Sequence, residues 1–192
     1  ATAKNTSDVD VSRYASAEEA RQAGEELENS RQWIDAIALY EAAMEEWKDD
    51  EGLKYALRRT RIHFGVDRRY SDRSFENQLL TKGRAEGLDL YEDLLSRVQY
   101  EYVDSISVSR FVAHGTESLY MALRNEKFLS RNVKSGNDEG VERVRNVLIE
   151  DYWNRRLDTR MDARSAITAV CDLCSRELGI SDTAVVMEYI FG

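Results

Sequence analysis

The chain contains no proline in 192 residues. Proline normally supplies about one residue in twenty, and it fixes turns, strand edges and extended linkers. Its absence excludes proline-rich linkers and polyproline ligand segments, and it favours long helices joined by short polar turns. The chain also lacks a run of 18 apolar residues, so the sequence predicts no transmembrane segment.

Apolar residues follow helical spacing along the chain, without sustained strand-like alternation. The capping box Ser16-Ala-Glu-Glu19 marks the first helix start. The spacing predicts a helical hairpin before residue 50, a third helix from about Glu51 that stops at Gly65, and further helices between residues 88 and 192 around a loop at 130–140. We therefore predict an all-α fold in which a hairpin and a capping helix precede a helical bundle or array.

Charge is distributed unevenly along the chain. The net charge is −9, and residues 1–53 account for all of it with 14 acidic and 5 basic side chains. This balance argues against a nucleic-acid partner, because such binding requires lysine and arginine to neutralise phosphates. Residues 54–73 instead carry a net charge of +5. This strip either pairs with the acidic hairpin, which is the simpler interpretation, or docks an acidic partner or membrane headgroups. The candidate partner-binding or interdomain residues are Arg58, Arg61, Arg68, Arg69, Tyr70 and Arg73.

The hairpin at residues 17–50 resembles a tetratricopeptide repeat, a 34-residue pair of helices that cross at small residues and are covered by an aromatic side chain. The matching positions are Ala20, Gly24, Ala36, Tyr40 and Ala43. Lys48 replaces the closing proline of the motif, and the segment after Glu51 does not repeat the pattern. The resemblance implies contacts with protein or peptide partners; a hairpin used only for packing is the alternative.

Residues 86–129 resemble the N-terminal helical region of the carboxyl-terminal processing (tail-specific) serine peptidases. In that family a helix ends in Tyr-Val-Asp, as at Tyr102, Val103 and Asp104, and a second helix carries a Gly-x-x-x-x-Met-Leu-like run, as from Gly115 to Leu123. The residues after Leu123 depart from the family pattern. The resemblance implies that a PDZ part and a catalytic part with a Ser/Lys pair follow this region, in a protein of the periplasm or cell envelope.

Two sets of residues invite a catalytic or metal-binding interpretation. Ser118 and Lys127 match none of the family's catalytic motifs, and we interpret their proximity in sequence as accidental. Cys171 and Cys174 are a Cys-x-x-Cys pair in the middle of a predicted helix, without a second ligand pair for zinc. We interpret them as buried core thiols, with a local disulfide or redox role and a metal site as the alternatives. No catalytic residue, cofactor or metal is predicted for this chain.

The first seven residues lack both an initiator methionine and the apolar core of a signal peptide, and the last helix ends abruptly. We expect a piece of a longer polypeptide, with a trimmed or disordered segment (1–13), a tetratricopeptide-like module (14–66) and a helical domain preceding a missing catalytic region (67–192). The predicted function is that of a non-catalytic region of a serine endopeptidase, which contacts proteins, including its own downstream domains, or positions substrate. A stand-alone helical adaptor is the alternative.

Overall fold

A computed structural model of the chain describes residues 9–101, 107–134 and 136–192. These residues form nine α-helices and two π-helical segments and contain no strand, so the all-α prediction is confirmed. The helices are α1 (Ala17–Asn29), α2 (Trp33–Glu46), α3 (Glu51–Arg69), α4 (Arg84–Glu101), α5 (Val108–Ala122), α6 (Glu126–Asn132), α7 (Asp138–Val147), α8 (Arg160–Leu178) and α9 (Asp182–Phe191). The π-helical segments are Phe75–Leu79 and Leu148–Tyr152.

The contacts divide the chain into two compact units, the first ending at Gly65 and the second beginning at Val66. In the first unit, α1, α2 and α3 enclose one apolar core. Its fully buried side chains include Tyr40 and Leu53. Val11, from the segment expected to be trimmed or disordered, also packs against this core.

Helix α3 does not end where the sequence predicted. Gly65 lies inside the helix, which continues to Arg69. Glycine costs a helix only about 1 kcal/mol relative to alanine, and the next two residues, Val66 and Asp67, are buried. Burial of Val66 therefore outweighs the intrinsic tendency of glycine to end a helix.

Helix α9 is the centre of the second unit. Seven consecutive residues, from Thr183 to Tyr189, are buried, and the helix packs against α4, α5 and α8. A helix that is apolar on all sides is stable only when other helices surround it. Its start is set by Ser181, whose hydroxyl accepts a hydrogen bond from the Ala184 N–H, and α8 before it ends at Gly179, which adopts the left-handed conformation (φ 70°).

The region expected to be a loop at 130–140 is shorter than predicted, because α6 runs to Asn132 and α7 starts at Asp138. Asn125 caps α6 by accepting from the backbone N–H groups of Lys127 and Phe128. No helix in the described part of the chain is long and apolar enough to cross a membrane.

Candidate functional site

The small residues of the hairpin lie where its two helices cross. Ala36, Tyr40 and Ala43 are fully buried, and Gly24 lies directly against the Tyr40 ring, so that a Cβ atom added to Gly24 would overlap the ring. Glycine fits here because the Tyr40 ring occupies the space that a side chain at position 24 would need. The tetratricopeptide resemblance itself stays a prediction.

Glu28 joins all three helices of the first unit. Its Oε1 atom accepts hydrogen bonds from the Tyr40 hydroxyl at 2.7 Å and the Thr60 hydroxyl at 2.9 Å. The Arg59 guanidinium donates to both carboxylate oxygens, at 2.7 and 3.1 Å. Burial, and then the Glu28 hydrogen bond, raise the pKa of Tyr40, which therefore stays protonated as a donor.

The basic strip makes the intramolecular ion pairs that its sequence suggested. Arg59 contacts Glu28 and, at 3.7 Å, Glu25, and Arg61 contacts Glu41 at 2.6 Å. These pairs link α3 to α1 and to α2 within the first unit. They lie in the part of the strip that faces the acidic hairpin.

The remaining candidate partner-binding residues differ in exposure. Arg58, Arg68 and Arg73 are exposed. Tyr70 is buried, between the edges of Phe75 and Phe128. Tyr70 is therefore part of the core of the second unit, whereas the three arginines lie on the surface.

Arg69 and Glu188 form a buried charge cluster in the second unit. Its Nη2 atom lies 2.6 Å from Oε2 of Glu188, whose side chain is completely buried. The Ser118 hydroxyl donates to the same oxygen at 3.0 Å. Arg69 Nε, Glu188 Oε1 and the Tyr70 hydroxyl make no hydrogen bond of normal length, although the Tyr70 hydroxyl lies close enough to Glu188 to favour its charged form. Burial raises the pKa of Glu188 above its usual value, although Arg69 and Ser118 favour the charged form.

Ser118 and Lys127 are not brought together as a catalytic pair. Ser118 is buried and bonded to Glu188, whereas the Lys127 amine donates to the Ser71 hydroxyl at 2.8 Å and lies 3.7 Å from Asp67. A serine nucleophile activated by lysine needs a direct hydrogen bond and a neutral amine. Each side chain instead has a structural partner of its own.

Cys171 and Cys174 are free and fully buried on α8, as the interpretation as core thiols predicted. Burial raises the pKa of the Cys171 thiol to about 12 and also raises that of Cys174. A reactive thiol needs the opposite shift, because only the thiolate attacks. Among the described residues no group of three or more histidine, cysteine or acidic side chains could hold a metal ion.

The peptidase-like positions are only partly described. Tyr102, Val103 and Asp104 lie outside the described residues. Gly115 is buried on α5 and faces α9, where an added Cβ atom would lie 2.8 Å from the Cα atom of Tyr189. The Tyr189 hydroxyl lies 3.0 Å from that of Thr116 on the same face of α5.

Sequence reasoning missed Glu28, Arg59 and Glu188 as organising residues. Glu188 carried a signal, since it is the one charged residue in the apolar run from residue 183 to 192. Glu28 carried none, because it is one of many glutamates on an acidic helix.

Comparison of the chain with protein-family models, with curated proteins and with solved structures found no significant match.

Proposed function

We propose that the chain is a non-catalytic, protein-contacting helical region of a larger protein that resembles a carboxyl-terminal processing serine peptidase. The observation that best supports a role in protein contacts is the arrangement of α1 and α3 in the first unit. They start at Ala17 and Glu51, which are 34 residues apart, the period of the repeat that the hairpin resembles. Successive first helices of such units lie side by side and present a common face.

The face shared by α1 and α3 has the chemistry of a protein contact. Tyr55 is 48% exposed, and the Arg59 guanidinium lies 5.8 Å from the centre of its ring. Arg21 on α1 pairs with Glu18 and Glu25, each at 2.6 Å. Tyrosine and arginine are enriched at protein interfaces, and ion pairs within one chain hold the side chains in place before a partner arrives.

The partners of Ser118 and Lys127 support a non-catalytic role for this region. Both side chains are used in packing the second unit, through Glu188 and through Ser71 and Asp67. In the proposed protein, the Ser/Lys chemistry belongs to a different part of the polypeptide.

The genomic reading frame tests the peptidase part of the proposal. We expect it to continue beyond Gly192 into PDZ-like and Ser/Lys-containing sequence; a frame that ends at Gly192 would overturn this part and favour the stand-alone adaptor. Incubation of the purified chain with an unfolded protein such as casein should give no cleavage. Cleavage that disappears in Ser118→Ala would refute the non-catalytic role.

Photo-crosslinking of the full-length protein tests the contact face. A benzoylphenylalanine at position 55 should crosslink to protein, either a partner or the downstream domains. The matched control is the same residue at position 100, because Tyr100 is a 93% exposed tyrosine of the second unit. Crosslinking that is equal at the two positions would show that the α1–α3 face has no special role.

A further inference from the structure

Two segments of the second unit that are far apart in sequence form one surface. Lys127 and Arg131 lie one turn apart on α6 and both reach the segment 71–76. The Lys127 amine donates to the Ser71 hydroxyl at 2.8 Å, and Arg131 forms an ion pair with Glu76. Residues 67–76 thus lie beside residues 124–134.

Cations outnumber carboxylates on this surface. The two segments hold seven basic and four acidic side chains, a net charge of +3 in a chain of −9. All three carboxylates of residues 67–76 are engaged. Asp67 accepts from Asn125 at 2.7 Å, Glu76 pairs with Arg131, and Asp72 accepts from the backbone N–H and the hydroxyl of Ser74, each at 2.7 Å. We call this the basic surface. Apart from Arg69, which pairs with the buried Glu188, its cations are Arg68, Arg73, Arg124, Lys127, Arg131 and Lys134.

Three of these cations are exposed and form no ion pair with a described residue. Arg73, Arg124 and Lys134 are exposed, and each lacks an ion pair with any described residue. Arg73 lies between Ser71 and Glu76, the two contacts of α6, whereas Arg124 and Lys134 flank α6 at its two ends. These three unpaired cations therefore surround the junction of the two segments.

Two aromatic side chains, Phe75 and Phe191, lie next to the basic surface. Phe75, next to the exposed Ser74, contacts Phe191 edge to face at 5.9 Å, and Phe191 is 48% exposed. The Arg69 guanidinium lies 4.9 Å from the centre of the Phe191 ring. Phe75 also begins a π-helical segment, an irregularity that occurs often at functional sites.

We infer that the basic surface binds an acidic peptide segment of a protein partner, with an apolar residue of that segment against Phe191. Nucleic acids and anionic membranes present charge over long distances, and the net charge of −9 opposes their approach. A short acidic segment touches only the local surface, because charges further away than about 8 Å are screened at physiological salt. The inference goes beyond the proposed function, which concerns the first unit, and either can fail alone.

Fluorescence anisotropy tests the inference on the whole chain. The probe is a fluorescein-labelled peptide of alternating glutamate and serine with one central phenylalanine. We expect saturable binding that weakens as salt is raised, and no binding of the same peptide with glutamine in place of glutamate. Replacing the central phenylalanine of the glutamate peptide by serine should weaken its binding, because the contact with Phe191 is lost.

A charge-matched pair of variants locates the site. The triple variant Arg73→Gln, Arg124→Gln, Lys134→Gln should weaken binding about tenfold, at roughly two- to threefold for each exposed charge. The control is Arg155→Gln, Arg156→Gln, Arg160→Gln, which removes three exposed arginines of the same unit and should leave the affinity unchanged. Circular dichroism should show that both variants stay folded.

Two results would overturn the inference. Equal weakening by the two triple variants would mean that binding follows overall charge and not this surface. Tighter binding of labelled oligothymidine, or of phosphatidylserine vesicles, than of the acidic peptide would assign the surface to a nucleic acid or to a membrane. Loss of the contact at Tyr55, by contrast, would refute only the proposed function.

Discussion

At the scale of single residues, the side chains of Glu28 and Glu188 are largely or fully buried, but they differ in how completely they are hydrogen-bonded. Both carboxylate oxygens of Glu28 accept hydrogen bonds, from Tyr40, Thr60 and Arg59. Glu188 has one oxygen bonded to Arg69 and Ser118, and the other is buried without a hydrogen bond of normal length. A buried carboxylate that is fully hydrogen-bonded stabilises its surroundings, whereas an unbonded oxygen costs free energy.

Glu28→Ala should destabilise the first unit by about 1–3 kcal/mol, because Arg59 then keeps only the 3.7 Å contact with Glu25 and the Tyr40 hydroxyl only the 3.3 Å contact with the Arg21 carbonyl. Urea unfolding followed by the fluorescence of Trp33 and Trp47 measures this change. The matched control is Glu26→Ala, an exposed glutamate of the same helix, which should change stability by less than about 0.5 kcal/mol. A similar loss in both variants would contradict the role of Glu28.

Glu188 should make the second unit less stable as the pH rises. Burial raises its pKa above 4.5 in the folded chain, so the folded state holds the proton more tightly than the unfolded state does. The free energy of unfolding of the wild type, measured relative to Glu188→Gln, should therefore fall as the pH rises above about 4.5 and should level off once Glu188 is ionised in both states. Urea titrations at a series of pH values measure it. A difference that increases with pH would mean that Arg69 more than offsets the burial.

The two cysteines should be unreactive until the second unit unfolds. Because burial raises the pKa values of both thiols, neither forms a thiolate at pH 8. Ellman's reagent should therefore titrate no thiol in the native chain and two in urea. Rapid reaction of one or both in the native chain would favour the redox alternative, and fewer than two in reductant-free urea would indicate a disulfide.

At the scale of elements, the sequence predicted helices well where an apolar stripe and a cap coincide. Helix α8 is an example, because its buried apolar stripe lies between a capping box at Thr159 and the C-cap at Gly179. The prediction failed where burial by residues distant in sequence decides the end of a helix: α3 passes through Gly65 because Val66 is buried. It also missed α6, whose seven residues are too few for a periodic stripe. The candidate site was partly foreseen, since Arg68 and Arg73 were named, but the α6 cations beside them follow only from tertiary contacts.

Packing between α5 and α9 leaves no room for a side chain at Gly115, whereas Gly83 of the same unit has open space around it. Gly115→Ala places a methyl group against the backbone of Tyr189, so α5 and α9 must move apart, at a cost of about 1–3 kcal/mol or more. An added Cβ at Gly83 has nothing within 4 Å, and Gly83→Ala should be nearly neutral. Thermal unfolding of the two variants measures the contrast. Equal melting temperatures would contradict the close approach of α5 and α9.

At the scale of the whole molecule, stability is divided between two cores of different kinds. The first unit has a single small core formed by three helices, and units of this size have little stability to spare. The second surrounds a buried central helix. Charge is divided as well, with a net charge of −5 in the first unit and −4 in the second, which also holds the basic surface. Each unit can therefore respond to mutation, pH and partners in its own way.

The tryptophans allow this division to be measured, since Trp33 and Trp47 lie in the first unit and Trp153 in the second. In a Trp153→Phe background the fluorescence reports the first unit, and in a Trp33→Phe, Trp47→Phe background it reports the second. We expect the first unit to unfold at lower urea, Glu28→Ala to shift only that transition, and Gly115→Ala to shift only the other. Coincident transitions that shift together in every variant would show that the units unfold as one cooperative body, and that the stability of the small core comes from the whole chain.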